Sequence, residues 1–156
     1  MTRFLHDLLA PASILIDPPV RTKKQLFAAL ADRAAPLADV TPAKVVEVLT
    51  ARERLGSTGF GGGIAIPHGK LDHLDRSIGV FARLATPLDY GAIDTLPVDI
   101  VVMMLSPAAS GMAHLKALAG VSRALRDQGL LARLRGAGSA DAVYALLSGD
   151  GPHDIV

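Results

Sequence analysis

One run restricts what this chain can fold into more than any other: Val98-Asp99-Ile100-Val101-Val102-Met103-Met104-Leu105, apolar everywhere but Asp99. It is far shorter than the ~18 apolar residues that a membrane-spanning helix needs. It also lacks the alternation that would leave one face of a strand wet. Such a run belongs at the centre of a sheet covered on both sides. Cover on both sides requires helices above and below, and a chain of 156 residues has the length of one ordinary domain. The expectation is therefore α/β: a single three-layer domain with a central sheet flanked by helices on both faces.

The flanking elements support that scheme. Thr22 followed by Gln25 reads as a capping box, and Leu26, Phe27, Leu30, Ala31 and Ala34 behind it share one helical face. A second helix opens at Thr41 with Pro42 in its first position, buries Val45, Val46 and Leu49, and ends before Gly56 at a left-handed position. Ile78, Val80, Ala82 and Leu84 alternate with Gly79, Phe81 and Arg83, as in a strand covered unequally on its two faces. Shorter strands are expected at Ile14-Leu15-Ile16 and Ile64-Ala65-Ile66. A third helix follows Ser110 with Leu115, Leu118 and Leu125 on one face; further helices are expected over 129–135 and 139–147, the last capped by Ser139. The Leu84–Pro97 connection carries no helical pattern, so some strand pairs are antiparallel and the sheet is mixed. Strand order stays open. Ser148-Gly149-Asp150-Gly151-Pro152 ends the folded part, giving a domain over 1–148 and a flexible tail over 149–156.

Charge and composition exclude several function classes. Sixteen basic and fifteen acidic residues are interleaved, without the basic stripe of a nucleic-acid binder. The densest basic run, Arg123 to Arg135, is spread over a helical pattern and reads as a solvated face. With no cysteine, disulfides, thiolate nucleophiles and cysteine-based zinc sites are ruled out, which suits a reducing cytoplasm. His6 and Asp7 interrupt the apolar stretch at the N-terminus, so no signal peptide is read there, and no membrane insertion is expected.

The chemistry is concentrated between Gly56 and Lys70. Five glycines occur from Gly56 to Gly63, each expensive to order; such a segment is either a ligand-cradling loop or a flexible surface turn. It is not a P-loop, since Ile64 and Leu71 stand where a glycine and a Ser/Thr are required, and no dinucleotide fingerprint fits. His68 follows a short apolar run and lies between Pro67, which fixes its own φ, and Gly69, which leaves room beside the ring. That context presents an imidazole nitrogen as a nucleophile near neutral pH, against the plain alternative of an idle loop histidine. Arg52 closes the apolar stripe of its helix one turn before the glycines, where its guanidinium meets either a phosphate or the helix dipole. His114 falls in the first turn or so of the third helix, where the positive end of the dipole disfavours protonation; the alternative is an exposed helix histidine. His68 and His73 are five apart and share no helical face, so no metal site is expected. No Gly-x-Ser-x-Gly elbow suggests a serine hydrolase.

The run Ala51-Arg52-Glu53-Arg54-Leu55-Gly56-Ser57-Thr58-Gly59-Phe60-Gly61-Gly62-Gly63-Ile64-Ala65-Ile66-Pro67-His68-Gly69-Lys70 closely resembles the enzyme IIA (EIIA) domain of the bacterial phosphotransferase system, in its fructose/mannitol-like superfamily. The likeness extends through Ala92 to Asp99 and His114 to Ala119, and its Ser-Thr-Gly…Ala-Ile-Pro-His core is specific. The resemblance implies a mixed sheet between helices and, at His68, a histidine phosphorylated by the small carrier HPr or its nitrogen-branch counterpart. Arg52 and His114 match the arginine and second histidine of the family's site, and Ser57, Thr58 and Gly69 the phosphate loop beside it. No cofactor is implied, because phosphoryl transfer needs in-line placement and charge neutralisation, which Arg52 and backbone N–H groups of the glycine loop can supply. The protein would then be a carrier rather than a multiple-turnover enzyme.

Within the family the chain looks most like the nitrogen-regulatory branch. It is expected to stand alone and to regulate partners by phosphorylation state; ion transporters, sensor kinases and stringent-response enzymes are the targets among relatives. The alternative inside the family is a sugar-specific EIIA that passes phosphate to an EIIB or permease. The alternative outside it is a pure binding module that has kept the fold without the phosphorylation.

Overall fold

The computed structural model describes residues 3–148; the expected tail at 149–156 lies outside them. The elements run α1 (Arg3–Leu8), β1 (Ile14–Ile16), α2 (Lys23–Ala38), α3 (Pro42–Glu53), β2 (Gly59–Gly61), β3 (Ile64–Ala65), β4 (His68–Leu71), β5 (Ile78–Leu88), β6 (Val98–Pro107), α4 (Met112–Ala124), α5 (Gln128–Gly136) and α6 (Ala140–Ser148). Among the described residues, no helix is long and apolar enough to cross a membrane.

The apolar run occupies β6, at the centre of a six-stranded mixed sheet in the order β1-β5-β6-β3-β2, with β4 also paired to β6. Strand β5 pairs with β6 antiparallel, while β3, β4 and the β1–β5 pair are parallel. Alternation along β6 divides the interior into two cores. Val101, Met103 and Leu105 pack with Leu26, Leu30, Val45 and Leu49 of α2 and α3. Ile100, Val102 and Met104 pack instead with Val121, Leu125, Leu131, Val143 and Leu147 from the α4–α6 side. The three-layer expectation holds because a strand apolar at successive positions must bury both faces.

The helix starts follow the sequence signals. Thr22 Oγ1 accepts from Gln25 N at 3.1 Å, while Gln25 Oε1 accepts from the amide of Arg21 rather than of Thr22, so the expected box is half-formed and shifted by one residue. Thr41 caps α3 through Lys44 N with Pro42 at its first position, and Ser139 Oγ accepts from Ala142 N at the start of α6.

Three expectations need correction. On α4 the buried face is His114, Ala117, Val121 and Ala124, and Leu115 is 59 % exposed. Leu118 is half-buried and Leu125 fully buried, so of the three leucines expected on this face only Leu115 is misplaced. Val46 is only half-buried. Gly56 takes a positive φ of 150°, but two residues beyond the C-cap Arg54 and outside the left-handed helical region. The glycine-rich segment is also less irregular than expected. Gly59–Gly61 and Ile64–Ala65 form an antiparallel hairpin, and His68 opens β4.

Residues 64–71 run as one broken parallel strand along β6, with Ile64 opposite Ile100 and His68 opposite Met104. The break falls at Ile66-Pro67, because proline has no N–H to give the ladder. It is the feature of the fold that matters most for the site.

Candidate functional site

At the break, the carbonyl of Ile66 turns onto the ring of His68, 2.8 Å from Nδ1. A carbonyl oxygen only accepts, so Nδ1 carries the proton and Nε2 is left with a free lone pair. Arg52, in the last turn of α3, donates from Nε to that Nε2 at 3.2 Å and from Nη1 to the carbonyl of Gly56 at 2.9 Å. Of the two roles the sequence left open, phosphate or helix dipole, the guanidinium comes nearer the second by satisfying a carbonyl just past the helix end, and it also reaches the imidazole.

His114 is buried, not the exposed helix residue of the alternative reading. Its ring lies 5.5 Å from that of His68, centroid to centroid, at an interplanar angle of 48°. Its Nδ1 has no hydrogen-bond partner although it is shielded from solvent. Burial lowers the pKa of His68 below its ordinary value; Arg52 adds to this, while the Ile66 carbonyl and Glu53 oppose it. Burial likewise lowers that of His114, with smaller contributions from His68 and Lys70. Both rings are thus neutral near pH 7. For His114 burial is the larger cause, where the sequence had pointed to the helix dipole.

His68 opens into a cleft of about 240 Å³ lined with Arg52, Ser57, Thr58, Ser122 and Arg126. Two guanidiniums and two serine hydroxyls around a neutral, half-buried imidazole suit an anion of phosphoryl size. Ser57 Oγ is engaged with the amide of Gly59 at 3.1 Å. Thr58 lines the cleft, but its hydroxyl points away, to Glu53 Oε1 at 2.6 Å and Tyr90 Oη at 2.7 Å.

The part expected of Gly69 needs revision. A Cβ there would lie 2.1 Å from Val48 Cγ1, so the space beside this glycine is already filled by α3. Gly69 lets the helix bearing Arg52 sit against β4, and its absent side chain serves helix packing rather than access to the ring.

Residues 7–149 match the family described as the phosphoenolpyruvate-dependent sugar phosphotransferase system, EIIA 2. The chain belongs to this family. It is similar to the nitrogen regulatory protein of Bradyrhizobium diazoefficiens, 46% identical over 144 residues that cover 92% of this chain and 94% of the relative. The nitrogen regulatory protein of Escherichia coli K12 is 40% identical, covering 82% and 79%. Among solved structures, the nitrogen regulatory protein IIA-Ntr from Neisseria meningitidis superposes with a TM-score of 0.87 at 32% identity, covering 92% of this chain and 98% of that one.

Two features of this EIIA chain escaped the sequence reading. The glycine-rich segment does not wrap the imidazole. Its turn residues Gly62 and Gly63, at φ 67° and 83°, lie by Asp99 and Ile100 on β6, whereas His68 lies by Met104. The amide of Gly62 is taken by Asp94 Oδ2 at 3.0 Å, and the Gly62 carbonyl by Arg135, which also pairs with Asp99. The second feature is Glu53, adjacent to Arg52 in sequence and bonded to Lys23, Thr58 and Tyr90. Its partners come from α2, the loop after α3 and the loop after β5, and nothing in the spacing of Lys23, Glu53 and Tyr90 announces the cluster. Among the described residues, no group of three or more His, Cys, Asp or Glu is placed to hold a metal ion.

Proposed function

We propose that this EIIA protein is a cytoplasmic phosphocarrier that takes a phosphoryl group on Nε2 of His68 from an HPr-like donor and regulates partner proteins by its phosphorylation state. The observation that carries the reading is the Nδ1–H···O=C bond to Ile66, which leaves Nε2 as the nucleophile inside an arginine-lined cleft. In the transfer, the Nε2 lone pair attacks phosphorus in line. The new N–P bond forms as the donor's N–P bond breaks, and the departing imidazole keeps that electron pair. The product ring of His68 is cationic, and the Ile66 carbonyl supports it through Nδ1–H. Arg52 moves its N–H from Nε2 to a phosphoryl oxygen, with Arg126, Ser57 and Ser122 beside it, so that charge on the equatorial oxygens is met by fixed donors. His114, one ring away with a buried unpartnered nitrogen, is the remaining polar group positioned for that phosphate.

A donor histidine on another protein must reach Nε2, which requires an approachable rim. Met112 and Leu115 of α4 are 66 % and 59 % exposed, on the two sides of His114 in sequence, and Leu118 one turn further on lines the cleft. Apolar side chains around a polar reaction centre suit a transient protein partner.

The nitrogen regulatory names of relatives at 46% and 40% identity support regulation as the output. A fructose-specific EIIA component from Haloferax volcanii at 34% identity keeps sugar transport as the second reading. Incubation with phosphorylated HPr-like carrier should give acid-labile phosphate on wild type and none on His68→Ala. Unlabelled wild type, or equal labelling of the variant, refutes the carrier role and leaves the pure binding module. Efficient onward transfer to an EIIB domain would replace regulation by sugar transport.

A further inference from the structure

The side chain of Glu53 is 9 % exposed, and both oxygens of its carboxylate accept hydrogen bonds. Oε1 accepts from Thr58 Oγ1 at 2.6 Å and from Tyr90 Oη at 3.3 Å; Oε2 accepts from Thr58 N at 3.0 Å and Lys23 Nζ at 2.9 Å. Thr58 spends its hydroxyl proton on Glu53, so the single phenolic proton of Tyr90 is shared between Thr58 Oγ1, 2.7 Å away, and the longer contact to Glu53 Oε1. Lys23 also lies over the Tyr90 ring, 4.2 Å from its centroid. A buried ion pair is weak grounds for stability, since an apolar replacement often does as well. What this network does is geometric, and both of its outputs end on the ring of His68.

The first runs through Thr58. Glu53 grips that residue twice, at its amide and its hydroxyl, and so fixes the direction of its carbonyl. That carbonyl accepts the N–H of Ile66 at 3.0 Å. The carbonyl of Ile66 in turn accepts from His68 Nδ1. The second output runs through the loop that Glu53 closes. Between Glu53 and Thr58 lies Gly56, whose carbonyl holds Arg52 Nη1 while Arg52 Nε addresses His68 Nε2. One carboxylate thus sits behind the partners of both ring nitrogens.

We propose that Glu53 is a positioning residue for the phosphoryl-transfer centre, holding His68 in the Nδ1–H tautomer through Thr58 and Ile66 and holding Arg52 on Nε2 through the loop closed at Thr58. The proposal rests on the phosphocarrier reading of His68. It assigns Thr58 to this positioning chain rather than to direct contact with phosphate. The charged and titratable groups around the ring are Arg52 and Glu53 from α3, His114 from α4 and, across the cleft, Arg126; Lys70 on β4 acts on His114. Glu53 is the one whose charge opposes Arg52 at His68.

The test compares wild type with Glu53→Gln, Thr58→Val, Thr58→Ser and, as a carboxylate on the exposed side of α3, Glu47→Gln. Two quantities are read: the rate of labelling from phosphorylated HPr-like carrier, and the tautomer of the unphosphorylated His68 ring by nitrogen-15 NMR. Glu53→Gln and Thr58→Val should slow labelling by about ten- to a hundredfold, the size of effect expected from misplacing a reacting group by about 1 Å. Both should raise the Nε2–H fraction of the ring. Glu53→Gln should also move the His68 titration midpoint further down. Thr58→Ser, which keeps the hydroxyl, should restore most of the rate and the tautomer, and Glu47→Gln should change neither. Thermal unfolding of each variant separates loss of fold from loss of position; if Glu53→Gln does not fold, Thr58→Val against Thr58→Ser decides. Wild-type rate and tautomer in a folded Glu53→Gln or Thr58→Val would overturn the proposal while leaving the carrier role intact. Failure of wild type itself to label removes the carrier role instead.

Discussion

Replacing Gly69 by alanine tests the link between packing and chemistry most sharply. The new Cβ would meet Val48 Cγ1 at 2.1 Å, whereas Val48 Cβ is 3.5 Å away. Carbon atoms in contact prefer about 3.5–4.0 Å, so roughly 1.4 Å must be found. Val48 does not readily rotate aside, because a β-branched side chain in a helix has one strongly preferred χ1. The movement therefore falls on α3 or β4. Overpacking of this kind costs about 1–3 kcal/mol, and at ~2–4 °C per kcal/mol for a domain of this size the melting temperature should fall by roughly 2–12 °C. Arg52 is one turn beyond Val48 on the same helix. Its 3.2 Å contact with His68 Nε2 is lost once the separation passes about 3.5 Å, so labelling from the phosphorylated carrier should slow by an order of magnitude or more. The structure also specifies the cure. With Val48→Ala, Cγ1 is gone and the nearest remaining side-chain atom is at an ordinary contact distance, so the double variant should recover both melting temperature and labelling rate. Calorimetry and the carrier assay on the two single variants and the double variant decide it. A Gly69→Ala protein that melts and labels like wild type, or a double variant no better than the single one, would refute the account of why this glycine is there.

Two further predictions concern the imidazoles. The pKa values of His68 and His114 are both lowered in the folded state, so the unfolded chain binds more protons at these rings. Their contribution to stability is complete above the unfolded value of about 6.5 and declines as pH falls from there through the folded values; urea unfolding at a series of pH values should show the decline, and His68→Asn should flatten it, an unchanged slope counting against the shift. His114→Leu removes a buried nitrogen that has no partner, and an unsatisfied buried polar group costs about 1–3 kcal/mol. The variant should therefore unfold at higher urea concentration while holding phosphate less well, and a loss of stability would mean that Nδ1 is satisfied after all.

Much of the framework was legible because it rests on local periodicity. The apolar run of β6, the Thr22 and Thr41 caps, and the alternation in β5 each report burial directly, since a side chain's face follows from its position in the repeat. His68 and Arg52, singled out by their surroundings as a proline-flanked ring after an apolar run and a charge closing an apolar stripe, meet at 3.2 Å. The misreadings share one cause. On α4, Leu115 outweighed its neighbours His114 and Ala117 in the pattern, yet those two are the buried ones. At Gly69 and in the 59–63 hairpin, glycine was read as freedom near a ligand. There it answers to Val48 on α3 and, in the hairpin, to Asp94 and Arg135, partners that local sequence does not reveal.

By itself, then, the sequence determined the layers and the mixed sheet and singled out the imidazole on which the proposed chemistry rests, because hydrophobic periodicity and a specific motif are properties of neighbouring residues. Tertiary structure decided which nitrogen of that imidazole is free, how close Arg52 comes to it, and that Glu53 stands behind both. Those facts depend on contacts such as Lys23 with Glu53 and Glu53 with Tyr90, between residues far apart along the chain. They exist only once α2, α3 and the loop after β5 have packed together, and no local pattern encodes the distance between them.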